Sequence, residues 1–408
     1  MDQNDRQVLR GLAEKWMGLA SLPVMTERKR LWTALHDLKG ERPMVLFESW
    51  TLEDYVDEKT LACNDPQLRG VERVMRENIQ HAEQIGDDIV LEPEIRVFWQ
   101  TILPDFGVDL HYDRALDEQG GNLGHAYNHP IHNPEDVGRL KHGTWKVDRE
   151  STIQQFEILS EIIGDLLPVK LQGFGSFLPS LTGDLFKLIG NDNLLAWPYD
   201  APDALHQVMA FLRDERLMFF EYLEEEGMFL SNANSEIVGS GSPGFTSDLP
   251  VLENGHPALL KEMWVWSESQ ETTMISPRMF NRFFLPYIAE VASRFGLVYY
   301  GCCEPVHDRW EQIYKAIPHI RTVSISPWCD QFAMGEMLGK KVVYARKPKP
   351  WYLSGEQPDW DSLTKDLDET LQAAKDCNLE IVYRDVYRIN HDWDRLRQWT
   401  DLVRSRIN

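Results

Sequence analysis

Leu297-Val298-Tyr299-Tyr300-Gly301-Cys302-Cys303-Glu304 is the stretch on which the fold turns. Four apolar residues read as a buried strand, a glycine breaks it, and two thiols and a carboxylate follow at once. In α/β barrels, catalytic groups project from the C-terminal ends of the strands. The segment therefore reads as the mouth of such a barrel. Working outward, short apolar runs recur at 44–47, 88–91, 169–173, 228–230, 297–300, 322–325, 342–345 and 380–383. Helical patterns fill most gaps, at 66–85, 193–225, 277–295, 307–316, 331–339 and 361–376. Strand–helix alternation implies parallel pairing through right-handed crossovers. Eight units predict a closed TIM-type (β/α)8 barrel over 43–408, with long loop insertions above its C-terminal mouth. Residues 1–42 form an N-terminal helical extension, because Leu9, Leu12, Trp16 and Leu19, then Leu31, Leu35 and Leu38, recur at helical spacing.

The chain has 408 residues with 42 basic and 65 acidic side chains, a net charge of −23. That balance argues against nucleic acid and anionic membrane as partners, since both need positive patches. No run reaches the ~18 apolar residues that span a bilayer. The first thirty residues lack a secretory h-region, so a cytoplasmic protein is expected. Five cysteines in so large a chain do not resemble a disulfide framework, which leaves reduced thiols for metal or chemistry. The polar, histidine-rich stretch 93–165 (His111, His125, His129, His132, His142) matches no zinc spacing and reads as a loop that covers the site.

The predicted strand ends carry Glu48-Ser49-Trp50, Glu92-Pro93-Glu94, Gly173-Phe174-Gly175-Ser176, Asn232-Ala233-Asn234, Cys302-Cys303-Glu304, Ser326-Pro327-Trp328-Cys329-Asp330, Arg346-Lys347-Pro348 and Asp385-Val386-Tyr387. Packing alone does not explain so many ionisable residues at the ends of apolar strands. The insertion Trp264-Val265-Trp266-Ser267-Glu268-Ser269-Gln270-Glu271 sets tryptophans beside carboxylates. It fits either a pocket for a flat substrate or a packed interface strand. From these stretches we take Glu268, Glu271 and Asp385 as candidate proton-transfer groups. Asn234, Trp266, Gln270, Tyr300 and Arg346 are candidate substrate contacts. Ser276-Pro277 reads as a helix start, Ser at the N-cap and Pro at N1.

Zinc is held by thiolate, imidazole and carboxylate, and a catalytic site keeps about three protein ligands. Cys302, Cys303 and Glu304 lie within one turn, with His307 just beyond and Cys329 at the next strand end. On an extended strand end, residues i and i+2 face the same way, so Cys302 and Glu304 can address one ion together. Buried, inert cysteines are the plain alternative.

Taken together, Leu61-Ala62-Cys63-Asn64-Asp65-Pro66, Ile85-Gly86-Asp87-Asp88, Gly239-Ser240-Gly241, Ser269-Gln270-Glu271, Phe284-Leu285-Pro286-Tyr287, Tyr300-Gly301-Cys302-Cys303-Glu304-Pro305 and Ser324-Ile325-Ser326-Pro327-Trp328 give the chain a family likeness. It resembles the uroporphyrinogen decarboxylase superfamily, within it the branch of corrinoid-dependent methyltransferases. The resemblance implies a TIM barrel with its site at the C-terminal mouth. It also implies zinc on a His-x-Cys pair after strand five plus a cysteine near strand eight, and methyl exchange with a corrinoid protein. This chain departs from that pattern: Tyr300-x-Cys302 stands for His-x-Cys, and Asp385 stands where the last cysteine would be. A zinc set would have to be reassembled from Cys302, Glu304, Cys303 and Cys329.

The resulting expectation is a zinc-dependent methyltransferase. It would pass a methyl group between a small methylated substrate (methoxy, methylamine or thiol) and a separate corrinoid protein bearing methylcobalamin. The alternative is a metal-free decarboxylase or lyase in which Arg346 and Lys347 bind a carboxylate. A non-catalytic scaffold is the third reading, because fold does not set function. A homodimer is compatible with each.

Overall fold

A computed structural model describes residues 2–102, 106–116, 122–173, 180–252 and 256–407. Eight strands alternate with helices: β1 (Met44–Phe47), β2 (Ile95–Phe98), β3 (Val169–Gln172), β4 (Trp264–Ser267), β5 (Leu297–Tyr300), β6 (Ile320–Ile325), β7 (Val343–Arg346) and β8 (Asn378–Tyr383). Six of them form one parallel sheet in the order β1-β8-β7-β6-β5-β4, and β2 pairs with β3 in a second parallel ladder. β1, β5, β7 and β8 are buried along their whole length, as expected of parallel strands covered on both faces.

Among the described residues no ladder joins β1 to β2 or β3 to β4, so the sheet is a six-stranded arc and a two-stranded piece rather than a hydrogen-bonded closed barrel. Side chains bridge both seams. Val45 N donates to the Asp88 carboxylate at 2.9 Å and Phe47 N to Asp87 at 2.8 Å, while Asp88 N donates to Val45 O at 2.8 Å. Two of the expected strands are therefore corrected. Residues 88–91 do not form one, because the carboxylates of Asp87 and Asp88 satisfy β1's amides in place of a backbone partner. Arg42 and Arg404 neutralise Asp88 at 2.8 and 2.6 Å. Residues 228–230 are irregular as well, and the fourth strand is the Trp264–Ser267 stretch taken above for an insertion. Asn232 holds that seam by a two-way amide pair with Trp264, accepting from its N at 2.9 Å and donating to its O at 3.0 Å.

The concave face of the arc is filled by the glycine-rich segment 237–244. Val238 N bonds Ser242 O at 2.9 Å, which makes the segment a tight turn. A Cβ at Gly239 would fall inside the Tyr299 ring, and one at Gly241 (φ +84°) would lie 2.6 Å from Val382. Contact with both β5 and β8, three strands apart, places this turn inside the arc.

The N-terminal helices Gln3–Ala20 and Pro23–His36 are integral to the packing. Trp32 is fully buried and donates to Asp88 O at 2.8 Å, and His36 reaches Phe245 O at 2.9 Å and Glu380 at 3.4 Å. The stretch 93–165 is more ordered than a polar loop. It contains β2, antiparallel pairings of Gln100–Ile102 with Lys146–Asp148 and of Tyr112–Leu116 with Asn122–Tyr127, and the helix Arg149–Ile163. Of its histidines, His111, His125, His132 and His142 are exposed, and His142 also stacks on Phe211 and bonds Glu215 at 2.6 Å.

Candidate active site

The turn after β5 builds the mouth. Gly301 has φ +92°, a conformation that favours glycine, and its N–H bonds Ser267 O at 2.7 Å. This swings Cys302 and Cys303 off the strand line with their sulfurs 3.6 Å apart. Cys302 is buried and Cys303 exposed. The Glu304 carboxylate folds back under the turn. It accepts from Cys302 N and from Ser269 N, both at 2.9 Å. Tyr300 is buried with its hydroxyl 2.9 Å from Ser269 Oγ, and burial pushes that hydroxyl's pKa up. Tyr300 and Glu304 thus tie β5 to the end of β4.

A residue missed in the sequence stands at the centre of this mouth. Arg384, directly after β8, has its Nε 3.4 Å from both Glu48 and Asp385. Its Nη1 bonds the Ser240 hydroxyl and lies 3.9 Å from Cys302 Sγ, and its guanidinium stands over the Trp266 ring at 6.0 Å. Burial opposes its charge, but Glu48, Cys302 and Asp385 together outweigh that and hold its pKa above the ordinary arginine value. Asp385, at φ +60°, takes the left-handed conformation that turns the chain there. The sequence signal was present: Arg384 is the first polar residue after an apolar run, but the strand end was read from one residue later.

Next to Arg384, Lys347 points inward from the end of β7. It is 2% exposed, its Nζ has no hydrogen-bond partner among the described residues, and burial pulls its pKa down to about 8. Arg346 is the correction in this group. It points out of the arc, donates to Asp366 at 2.7 Å, Thr370 at 3.1 Å and the carbonyls of Ile325 and Ser326 at 3.2 and 3.1 Å, and clamps β7 to the helix Trp360–Ala373. Consecutive strand residues face opposite ways, so only one of the Arg346-Lys347 pair can serve the interior.

Glu268 and Glu271 meet behind Gln270. Gln270 N donates to Glu268 at 2.8 Å, its side chain to Glu271 at 3.3 Å, and the Thr182 hydroxyl to Glu271 at 2.6 Å. The Glu268 Oε1 is buried and has no hydrogen-bond partner among the described residues. Burial, then the neighbouring Glu271 and Glu304, hold its carboxyl well above the ordinary range, which favours the protonated form.

Beside these groups, Gln270, Thr273, Cys303, Trp328 and Asp385 line a cavity of about 270 Å³. Three of the expected site residues, Gln270, Cys303 and Asp385, converge there; Thr273 was missed, and Trp328 had been read only as part of a strand end. Trp328 is half-exposed and meets Trp351 edge-on at 5.4 Å, forming an aromatic rim. Trp266 lies beside Arg384 with its indole N–H on Gly301 O at 3.0 Å. Asn234 belongs elsewhere: its side chain bonds Ser231 O and Glu236 N at 2.9 and 2.8 Å, and it lines a separate cavity beside β3.

The four expected zinc ligands do not converge. Both Glu304 oxygens accept backbone amides, and Cys329 turns away to accept from Val306 N at 3.5 Å. Only the two adjacent thiols remain, beside the guanidinium of Arg384. Among the described residues no three His, Cys, Asp or Glu side chains are grouped so as to hold a metal ion. As placed, the residues do not fit a zinc ion, which takes about three protein ligands.

No protein-family model and no curated protein matches the chain. Among solved structures it is similar to a methyltransferase from Methanosarcina mazei, at 12% sequence identity and a TM-score of 0.52, over 92% of this chain and 97% of that one. At this identity the likeness is one of fold, and it spans nearly the whole of both chains.

Proposed function

We propose that the chain is a methyltransferase that moves a methyl group between a small methylated substrate, a methoxy compound, methylamine or thiol, and a separate corrinoid protein. The observation that carries this reading is the convergence of Gln270, Cys303 and Asp385 on one pocket at the sheet's C-terminal edge, backed by a carboxyl whose protonated form is favoured. The fold shared with a methyltransferase supports it. The corrinoid would supply the nucleophile for the methyl carbon. The chain's own residues do the rest. Trp328 and Thr273 hold the substrate at the rim, and Gln270 orients its heteroatom by hydrogen bonding. As the carbon–heteroatom bond breaks, the heteroatom takes the electron pair, and the Asp385 carboxyl on the cavity wall delivers the proton that neutralises it, with Glu268 as a buried proton reserve. No step uses zinc, because the donors do not converge.

The test is release of demethylated product from a panel of methyl ethers, methylamines and methyl thioethers, with and without a reduced corrinoid carrier. Turnover that requires the carrier and falls at least tenfold in Gln270→Ala supports the reading. Turnover without any carrier sinks it.

A second reading has its own observation, the Lys347 amine beside Arg384, which has no hydrogen-bond partner among the described residues. In a carboxy-lyase these cations would hold a carboxylate, a role Arg346 cannot take from its outward position. Carbon dioxide release without a methyl acceptor distinguishes it.

A further inference from the structure

The adjacent thiols do a job that the proposed chemistry leaves unused. Their sulfurs lie 3.6 Å apart and in contact. They are unequal: Cys303 faces the pocket and solvent, whereas Cys302 is buried. The contact with Cys303, then burial, push the Cys302 thiol up, and the Arg384 guanidinium 3.9 Å from its Sγ offsets part of that. Gly301, at φ +92°, precedes the pair and gives the turn backbone freedom that an ordinary residue lacks. The remaining cysteines, Cys63, Cys329 and Cys377, have no such neighbour; all three thiols are pushed up by burial, and no disulfide joins them.

We infer that Cys302 and Cys303 form a thiol–disulfide exchange site that takes a low-molecular-weight disulfide and closes to a reversible vicinal disulfide. The Cys303 thiolate attacks one sulfur of the incoming disulfide RSSR. The S–S bond breaks, one RS⁻ leaves, and a mixed disulfide forms on Cys303. Cys302 then gives up its proton and attacks the Cys303 sulfur, expelling the second RS⁻. Two protein thiols are oxidised, one RSSR is reduced, and two RSH result. Cys303 is the exposed sulfur and so meets the incoming disulfide first, and its contact with Cys302 holds it below the ordinary thiol pKa. Neighbouring α-carbons are ~3.8 Å apart, shorter than the usual ~4.4–6.8 Å span of a disulfide. The bond is therefore strained and readily reduced, as labile and regulatory disulfides are. Closure removes the Cys303 thiol from the pocket wall. This site stands independently of methyl transfer, and its test reads mass rather than turnover.

The full chain is equilibrated with mixtures of reduced and oxidised glutathione, quenched with acid and weighed intact. The expected result is loss of two hydrogen atoms, no lasting glutathione adduct, and recovery on adding excess thiol. Trypsin cuts after Arg294 and Arg309, so both cysteines lie in one peptide, 295–309, and the bond appears inside it. Cys302→Ser should trap one glutathione on Cys303, and Cys303→Ser should take up none. An unmodified wild type in fully oxidised buffer overturns the inference, as does a stable adduct that never closes or a bond to another cysteine. These wild-type outcomes decide the matter even where a variant misfolds.

Discussion

At the scale of single residues, Glu268 shows how burial changes the chemistry of a carboxyl. It lies 3% exposed between the acidic neighbours Glu271 and Glu304. A carboxyl raised in this way binds its proton longer in the folded than in the unfolded chain. Its contribution to stability is full below the ordinary value of 4.5 and is lost as pH rises through the elevated folded value. Glu268→Gln cannot lose a proton, so its melting temperature should gain on the wild type as pH rises from 4.5 toward 8. Thermal unfolding across that range checks it; a difference independent of pH would mean that Glu268 is ionised in the fold. Arg346 and Lys347 teach the complementary lesson. The pair is legible as cationic, but which member faces the interior depends on strand register, and the inward one is the lysine.

At the scale of elements, the glycine-rich turn 237–244 is the piece that shapes the interior. Gly239→Ala would drive a methyl into the Tyr299 ring, which is fully buried and cannot move aside. A loss of about 3 kcal/mol is expected, the upper range for overpacking, measured by urea denaturation. Gly11→Ala is the contrast. Gly11 lies in the helix Gln3–Ala20 with nothing within 4 Å of an added Cβ, so alanine should stabilise by roughly 0.5–1 kcal/mol through helix propensity. Some elements were readable directly: Ser276 does accept from Met279 N at 3.4 Å as an N-cap, with Pro277 at N1. The misread strands at 88–91 and 228–230 share one cause. At both places a side chain takes the amides of the neighbouring strand, Asp87 and Asp88 those of β1 and Asn232 that of Trp264, and a short apolar run does not show this in advance.

At the scale of the whole molecule, the arc and the β2–β3 pair should differ in local stability. β6 and β7 are buried and laddered on both sides, whereas β2 and β3 each have one ladder partner among the described residues. Native-state hydrogen exchange should show amides of β6 and β7 exchanging slowest and those of β2 and β3 opening at lower free energy. Uniform protection across all eight strands would contradict the two seams. No helix among the described residues is long and apolar enough to cross a membrane, and the charge of −23 is spread over the chain.

The alternation of strands and helices, and Gln270, Cys303 and Asp385 as polar groups near strand ends, could be read from the chain alone. Those follow from local rules: apolar periodicity, caps, and ionisable residues where strands end. Only the tertiary structure decided which cation faces inward, that Arg384 joins Glu48, Cys302 and Asp385, and that Glu304 and Cys329 turn to backbone amides instead of a shared ion. These are long-range facts. Glu48 and Arg384 are 336 residues apart in the chain and meet because β1 and β8 are neighbours in the sheet. The opening segment keeps its place at the mouth, but its two thiols face a guanidinium rather than a complete set of metal ligands.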